Sequence, residues 1–142
     1  MKLNIKIEGK KVWINGKRVK RIKTSGTRLC YKTSKYFLKI ENEDDCDRNY
    51  FHQCRHEYRI WNKVSKEHKK YFVPILKYEH NKEYDYVVEP LILFKTGRRS
   101  NRFKETIDEL SKTYNIYDTC AEYVWNWVIT KDGMPLILDY GV

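Results

Sequence analysis

Two residues near the end of the sequence carry side-chain oxygens that can bind a metal ion, Asn126 and Asp139. Asn126 stands just before the apolar run 127–129, and Asp139 follows the apolar run 134–138. A turn signal at 131–133 separates the two runs, so the pattern predicts a β-hairpin. Such a hairpin brings the amide and the carboxylate together, and oxygen ligands of this kind bind Mg²⁺. The alternative is an ordinary hairpin that ends in a surface aspartate.

Two further charged residues lie where apolar side chains are expected. Lys39 interrupts the run 36–40, which otherwise has the composition of a strand. Glu57 falls on or beside the apolar stripe of a predicted helix over residues 48–66. Because a buried charge needs an opposite charge beside it, the two residues predict an ion pair between strand and helix. The alternative is that Lys39 extends to solvent and Glu57 lies on the helix flank.

Apolar periodicity predicts the elements that position these residues. Alternation indicates strands near residues 3–7, 12–14, 19–22, 29–31, 36–40, 72–78 and 84–88. The first two strands form a hairpin over residues 1–17, and the other five predict an antiparallel sheet. A second helix is predicted over residues 103–114. With 142 residues and 41% hydrophobic content, the chain is long enough for one domain with one core.

The order of these features resembles the protein-kinase superfamily, in the form found in short kinase-like proteins of bacteriophages and some bacteria. The matching residues are Gly26, Lys39, Glu57, Glu89, Pro90, Leu91, Asn126, Asp139, Tyr140 and Gly141. The resemblance implies an α+β fold whose N-lobe, residues 18–91, has a five-stranded antiparallel sheet and one helix. Residues 92–142 then form a basic linker and a minimal C-lobe that ends at the Asp-Tyr-Gly motif. Residues 1–17 are an extra hairpin.

The same resemblance implies a role for each matching residue. Lys39 contacts the phosphates of ATP and Glu57 orients Lys39. The loop at Gly26 approaches the phosphates. The backbone at Glu89 and Leu91 holds the adenine edge. The implied ligands of Mg²⁺ are Asn126 and Asp139, so the expected cofactors are ATP and Mg²⁺.

The catalytic base departs from the kinase pattern. The base aspartate precedes the metal-binding asparagine by five positions, and Ala121 stands there in this sequence. Alanine cannot accept a proton. Asp118 is the favoured substitute and Glu122 is the alternative.

Two functions follow from the resemblance and this departure. The first is a kinase fold degenerate in catalysis, acting as a phage-type binding or inhibitory module with a host protein as partner. The second is a minimal phosphotransferase that depends on ATP and Mg²⁺.

The sequence also ends one residue after Gly141, before the kinase segment that binds a protein substrate, so we expect one face of the terminal hairpin to be exposed. That face predicts a homo-oligomer or a protein partner.

Net charge supplies a third interpretation. The chain carries a formal charge of +10, which attracts anions, and five cations fall within residues 95–104. A basic domain that binds nucleic acid through this linker is therefore an alternative.

The cysteine and histidine spacing around residues 46–56 disfavours a zinc site. No apolar run is long enough for a membrane span or a signal peptide, so we expect a cytoplasmic protein, in the host cytoplasm if it is phage-encoded.

Overall fold

A curled seven-stranded antiparallel sheet is the main element of the fold. The structure is a computed structural model that describes residues 2–22, 28–41, 52–93, 103–116 and 127–140. The strands of the sheet are β1 Ile5–Glu8, β2 Lys11–Ile14, β3 Lys17–Ile22, β4 Leu29–Lys32, β5 Tyr36–Ile40, β6 Lys77–His80 and β7 Asp85–Pro90. Their spatial order is β1-β2-β3-β4-β5-β7-β6. A separate hairpin pairs β8 Trp127–Ile129 with β9 Pro135–Ile137.

The N-terminal hairpin joins the five strands predicted to form the sheet, so the sheet has seven strands and not five. Asn15 and Gly16 have φ angles of 51° and 81°, the left-handed conformation that a two-residue hairpin turn needs. This turn sets β2 against β3, with Val12 opposite Val19. The register keeps the apolar side chains of the hairpin on one face, and that face extends the core of the sheet.

The sheet curls until its first strand approaches its last two. The Tyr84 hydroxyl donates to the Ile7 carbonyl at 2.8 Å, and the Lys77 ammonium donates to the Leu3 carbonyl at 3.1 Å. The concave face encloses a core of Val12, Ile14, Val19, Leu29, Tyr31, Leu38, Ile40, Tyr86 and Val88. Curling thus buries the inner side chains of all these strands together.

The second core lies on the outer face of the sheet. Helix α1, Gln53–Lys63, packs there, and the Tyr58 and Tyr78 rings stack with centroids 4.6 Å apart. The structure places the start of α1 at Gln53, with residues 48–51 of the predicted helix outside the described residues. Helix α2, Lys104–Thr113, and the β8-β9 hairpin complete this core. In the described part of the chain, neither helix has the length and apolarity to cross a membrane.

Residues 72–75 differ from their predicted strand. Phe72 and Val73 are both buried, each only 1% exposed, whereas a half-buried strand would alternate. Phe72 forms a parallel bridge with Ile137, and the Val73 N–H donates to the Ile137 carbonyl at 2.9 Å. This segment therefore joins the terminal hairpin to the core, and β6 begins only at Lys77.

The terminal hairpin is buried within this chain. Its side chains Trp127, Val128, Leu136 and Ile137 are at most 8% exposed. The expectation that one face of the hairpin is exposed is therefore wrong for these residues, because α2 and residues 72–75 supply the apolar contacts. Trp125, which precedes the hairpin in the sequence, lies outside the described residues.

Candidate functional site

Lys39 is the centre of a buried charge cluster between the sheet, α1 and the end of the chain. It lies in the middle of β5, where its backbone pairs with Cys30 of β4 and Val87 of β7. Its ammonium donates to three oxygens: Glu57 Oε1 at 3.1 Å, Glu89 Oε2 at 3.2 Å and the Leu138 carbonyl at 2.8 Å. A lysine ammonium has three N–H donors, so these contacts use all of them.

Glu57 occupies the middle of the buried face of α1. It is fully buried, and Cys54 and Ile60 lie one turn away on either side. While Oε1 accepts from Lys39, Oε2 accepts from the Arg28 guanidinium at 3.0 Å and from the Tyr140 N–H at 3.3 Å. The predicted ion pair between strand and helix is confirmed, and Glu57 is inside the core and not on the helix flank.

Arg28 is a second buried cation in the cluster. It precedes β4, is 5% exposed, and donates through one nitrogen to both Glu57 and Asp139, the latter at 2.8 Å. Its other terminal nitrogen donates to the Cys54 sulfur at 3.5 Å. Arg28 therefore links the first strands, the helix and the end of the chain.

The electrostatics favour charged forms for the two cations and for Glu57. Burial by itself raises the pKa of a carboxyl, but the charges of Arg28 and Lys39 outweigh it and lower the pKa of Glu57 to about 2. Burial opposes the ammonium of Lys39, yet the negative charge of Glu57 raises its pKa above the ordinary value. The pKa of Arg28 is raised in the same way by Glu57 and Asp139.

Glu89 is the carboxyl of the cluster that favours its protonated form. Burial raises the pKa of Glu89 well above its ordinary value, and although Lys39 opposes this shift, the negative charge of Glu57 and a hydrogen bond between the two carboxyls add to it. The raised pKa of Glu89 reduces the excess of negative charge in the cluster, where Arg28 and Lys39 already offset the carboxylates of Glu57 and Asp139.

The structure brings together four of the predicted site residues: Lys39, Glu57, Glu89 and Asp139. Asp139 joins them through Arg28, since the guanidinium contacts both Asp139 and Glu57. Of the other predicted residues, Gly26, Asp118 and Asn126 lie outside the described residues, and Leu91 follows the last residue of β7.

The two residues predicted to hold the adenine edge, Glu89 and Leu91, lie in and just after β7. The Leu91 N–H donates to the Lys35 carbonyl at 2.8 Å, so this donor is already paired at the end of the sheet. The side chain of Glu89 accepts a hydrogen bond from Lys39, whereas the resemblance predicted a contact between its backbone and adenine. Pro90 between them has no N–H. The Leu91 N–H is therefore not free to hold a base.

Asp139 is the residue of the cluster that can still accept a ligand from solvent. Its side chain is 40% exposed, whereas those of Arg28 and Glu57 are at most 4% exposed. One carboxylate oxygen accepts from Arg28, which leaves the other available to a hard cation such as Mg²⁺. Within the described ranges, no group of three or more histidine, cysteine or acidic residues is placed to hold a metal. Asp139 therefore fits Mg²⁺ only as one ligand among several.

Sequence reasoning missed Arg28 and the carbonyl of Leu138. Arg28 stands between a Thr-Ser-Gly loop and an apolar strand, where an exposed arginine is equally compatible with the pattern. Cys54, considered for zinc, instead contacts Arg28 and the Lys39 carbonyl, and burial raises the pKa of its thiol. One signal in the sequence could have indicated a second cation such as Arg28. A buried glutamate that is paired with one lysine still has oxygen lone pairs left for a second donor.

No protein-family model and no curated protein sequence matches this chain. Among solved structures, the chain is similar to the bifunctional kinase-methyltransferase WbdD, with a TM-score of 0.53 and 14% sequence identity. The match covers 81% of this chain and 29% of that chain, so this chain spans less than a third of the length of that protein. At this identity the likeness concerns the fold alone, and it supports a kinase-like fold.

Proposed function

We propose that this chain is a kinase-fold protein that binds ATP with Mg²⁺ beside Lys39 and Asp139 and is degenerate in phosphate transfer. The observation that supports it most is the buried ion pair between Lys39 and Glu57, at 3.1 Å. In kinases, a lysine and a helix glutamate paired in this way orient the phosphates of ATP. The proposal makes the protein a binding module, with a host protein as partner if the chain is phage-encoded.

Two contacts favour degenerate catalysis over a minimal phosphotransferase. All three donors of Lys39 are already engaged, so a phosphate oxygen must replace Glu89 or the Leu138 carbonyl before Lys39 can bind it. The Arg28 guanidinium already holds one oxygen of Asp139, so a metal must compete with a buried cation. Both exchanges lower the affinity for Mg²⁺-ATP, and Ala121 stands where the kinase pattern has the base aspartate, which disfavours transfer of a phosphoryl group.

The experiment is a thermal unfolding series with ATP and Mg²⁺ at millimolar concentration. Because a ligand that binds only the folded state stabilises it by mass action, we expect the melting temperature to rise. Asp139→Asn removes the carboxylate offered to the metal and should reduce the rise. The matched control is Asp132→Asn in the exposed hairpin turn, which should retain it.

Each outcome decides between the candidate functions. A shift with Mg²⁺-ATP but no transfer of the γ-phosphoryl group to water or protein supports the proposal. Transfer above the rate without protein, lost in Asp139→Asn, favours the minimal phosphotransferase. No shift at any concentration overturns nucleotide binding and leaves a kinase-like fold with another role.

A further inference from the structure

The positive charge of the protein is concentrated in its first three strands. Residues 2–22 contain eight lysines and arginines and one acidic residue, Glu8, a net charge of +7 out of +10 for the whole chain. Such a concentration creates a local positive field that an evenly distributed charge would not.

The strand register gathers part of this charge on the outer face of the sheet. Residues directly opposite each other in an antiparallel pair point to the same face, and every second residue along a strand shares it. Arg18 of β3 is opposite Trp13 of β2, and Lys20 is opposite Lys32 of β4. The outer face of these strands therefore presents the cations Lys6, Lys11, Arg18, Lys20 and Lys32 together with Trp13 and one acidic residue, Glu8, and is here called the basic face.

Most cations of the basic face make no ion pair with another described residue. Lys6 pairs with Glu8 at 3.2 Å, whereas Lys11, which is opposite Glu8 in the register, and Arg18 and Lys20 make no ion pair in the part of the chain that the structure describes. Lys20 and Lys32 are directly opposite each other, an arrangement of like charges that destabilises a sheet. A bound polyanion relieves this repulsion.

The face has a groove and an aromatic side chain as well as charge. A groove of 550 Å³ lies beside the turn at Gly9, within the range of about 300–1,000 Å³ that is usual for a ligand site. It is lined by Lys11, Arg18 and Lys20 of the basic face and also by Lys10, Val19, Arg21 and Tyr31. Trp13 is half-buried on the same face, with the Lys6 ammonium 5.3 Å from the ring centroid. An accessible indole can stack on an unpaired base, and the flanking cations can contact its phosphates.

We propose that the basic face binds single-stranded nucleic acid, with Trp13 as a stacking platform and Lys11, Arg18 and Lys20 on the phosphates. Charge complementarity selects a polyanion, and the half-buried indole between cations favours one whose bases are unpaired. The face is distinct from the Lys39 cluster, which α1 covers, so the proposal is independent of nucleotide binding.

The test is fluorescence anisotropy of a labelled oligo-dT of about 20 nucleotides, longer than most single-domain sites. The variant Lys11→Gln/Arg18→Gln/Lys20→Gln should weaken binding about tenfold or more and lower the salt slope by about 2, since each single-strand phosphate contact contributes about 0.7. The control Lys63→Gln/Lys66→Gln/Lys82→Gln removes the same charge from exposed sites elsewhere and should change affinity little.

Trp13 provides a second, independent variant. Trp13→Ala should weaken binding to oligo-dT about fivefold or more, and Trp13→Phe should recover part of the loss because a ring remains. Circular dichroism establishes that each variant is folded.

Equal losses in the two triple variants would reduce the effect to net charge and overturn the assignment to this face. Equal affinity for a duplex of the same length would overturn the single-strand specificity. Binding to anionic lipid vesicles or polyglutamate, with none to oligo-dT, would overturn the choice of partner.

Discussion

Arg28 and Asp139 are 111 positions apart in the chain, and the guanidinium donates to the aspartate Oδ1 at 2.8 Å. The arginine is buried, while the aspartate side chain remains 40% exposed. The contact joins the residue before β4 to the residues after β9, and it places a cation on the carboxylate that the kinase resemblance assigns to Mg²⁺. A metal and an arginine therefore compete for Asp139.

Arg28→Gln should strengthen the response to Mg²⁺. Removing the guanidinium leaves Asp139 without its competing cation, so Mg²⁺ should raise the melting temperature of this variant more than that of the unmodified protein. A Mg²⁺ titration by thermal unfolding measures the difference. Arg59→Gln, at an exposed position of α1, is the control. An identical Mg²⁺ response in Arg28→Gln and the unmodified protein would show that Arg28 does not compete.

Glu57→Gln should be strongly destabilising. The fully buried carboxylate is the common acceptor of Arg28 and Lys39, and breaking a buried ion pair from one side typically costs about 3–5 kcal/mol. Urea unfolding near neutral pH measures the loss. Glu67→Gln, at an exposed position, should stay within about 0.5 kcal/mol of the unmodified protein. If both variants unfold at the same urea concentration, the cluster is not a source of stability.

Acidic pH should reduce the loss of stability that Glu57→Gln causes. The folded-state pKa of Glu57, about 2, lies below its ordinary value of 4.5, so the stability it contributes is present above pH 4.5. That contribution is lost as the pH falls from about 4.5 toward 2. The difference in unfolding free energy between the unmodified protein and the variant should shrink over this range. A difference that stays constant there would contradict the depressed pKa.

Glu89→Gln should have the opposite dependence on pH. The pKa of Glu89 is raised in the folded state, so its stabilising effect is complete below the ordinary pKa of 4.5 and is lost as the pH rises through the folded-state pKa. Glutamine does not ionise, so the variant should gain stability relative to the unmodified protein between about pH 4.5 and 7.5. Urea unfolding at the two pH values tests this, with exposed Glu83→Gln as the control. A relative loss on raising the pH would reverse the assigned direction.

Tyr140→Phe should measure the contribution of the tyrosine hydroxyl to stability without changing the packing of the ring. The hydroxyl donates to the Val73 carbonyl at 2.8 Å, and the ring packs edge-on against Phe72. The variant keeps the ring contact but leaves a buried carbonyl without this donor, at a cost of about 1–3 kcal/mol. Chemical denaturation measures this cost. Tyr71→Phe, at a partly buried position nearby, should be close to neutral, and equal losses in both would contradict a specific role for the Val73 contact.

Local sequence pattern was enough to predict most elements and one long-range contact. The Asn15-Gly16 turn was predictable because few residues other than glycine and asparagine tolerate positive φ. The contact between Lys39 and Glu57 was predictable because each interrupts an apolar pattern, and two opposite charges inside one core must compensate each other. The composition of the sequence also predicted a basic protein, but not the face of the sheet on which the charge lies.

The rest of the site was decided by tertiary structure. Nothing in the spacing of Arg28 or Glu89 distinguishes them from exposed residues, and their contacts with Asp139 and Lys39 span 111 and 50 positions. The burial of the terminal hairpin depends likewise on Phe72, a residue distant in the chain. Periodicity reports which face of an element is apolar, whereas such contacts depend on how the faces of separate elements meet, which only the folded chain determines.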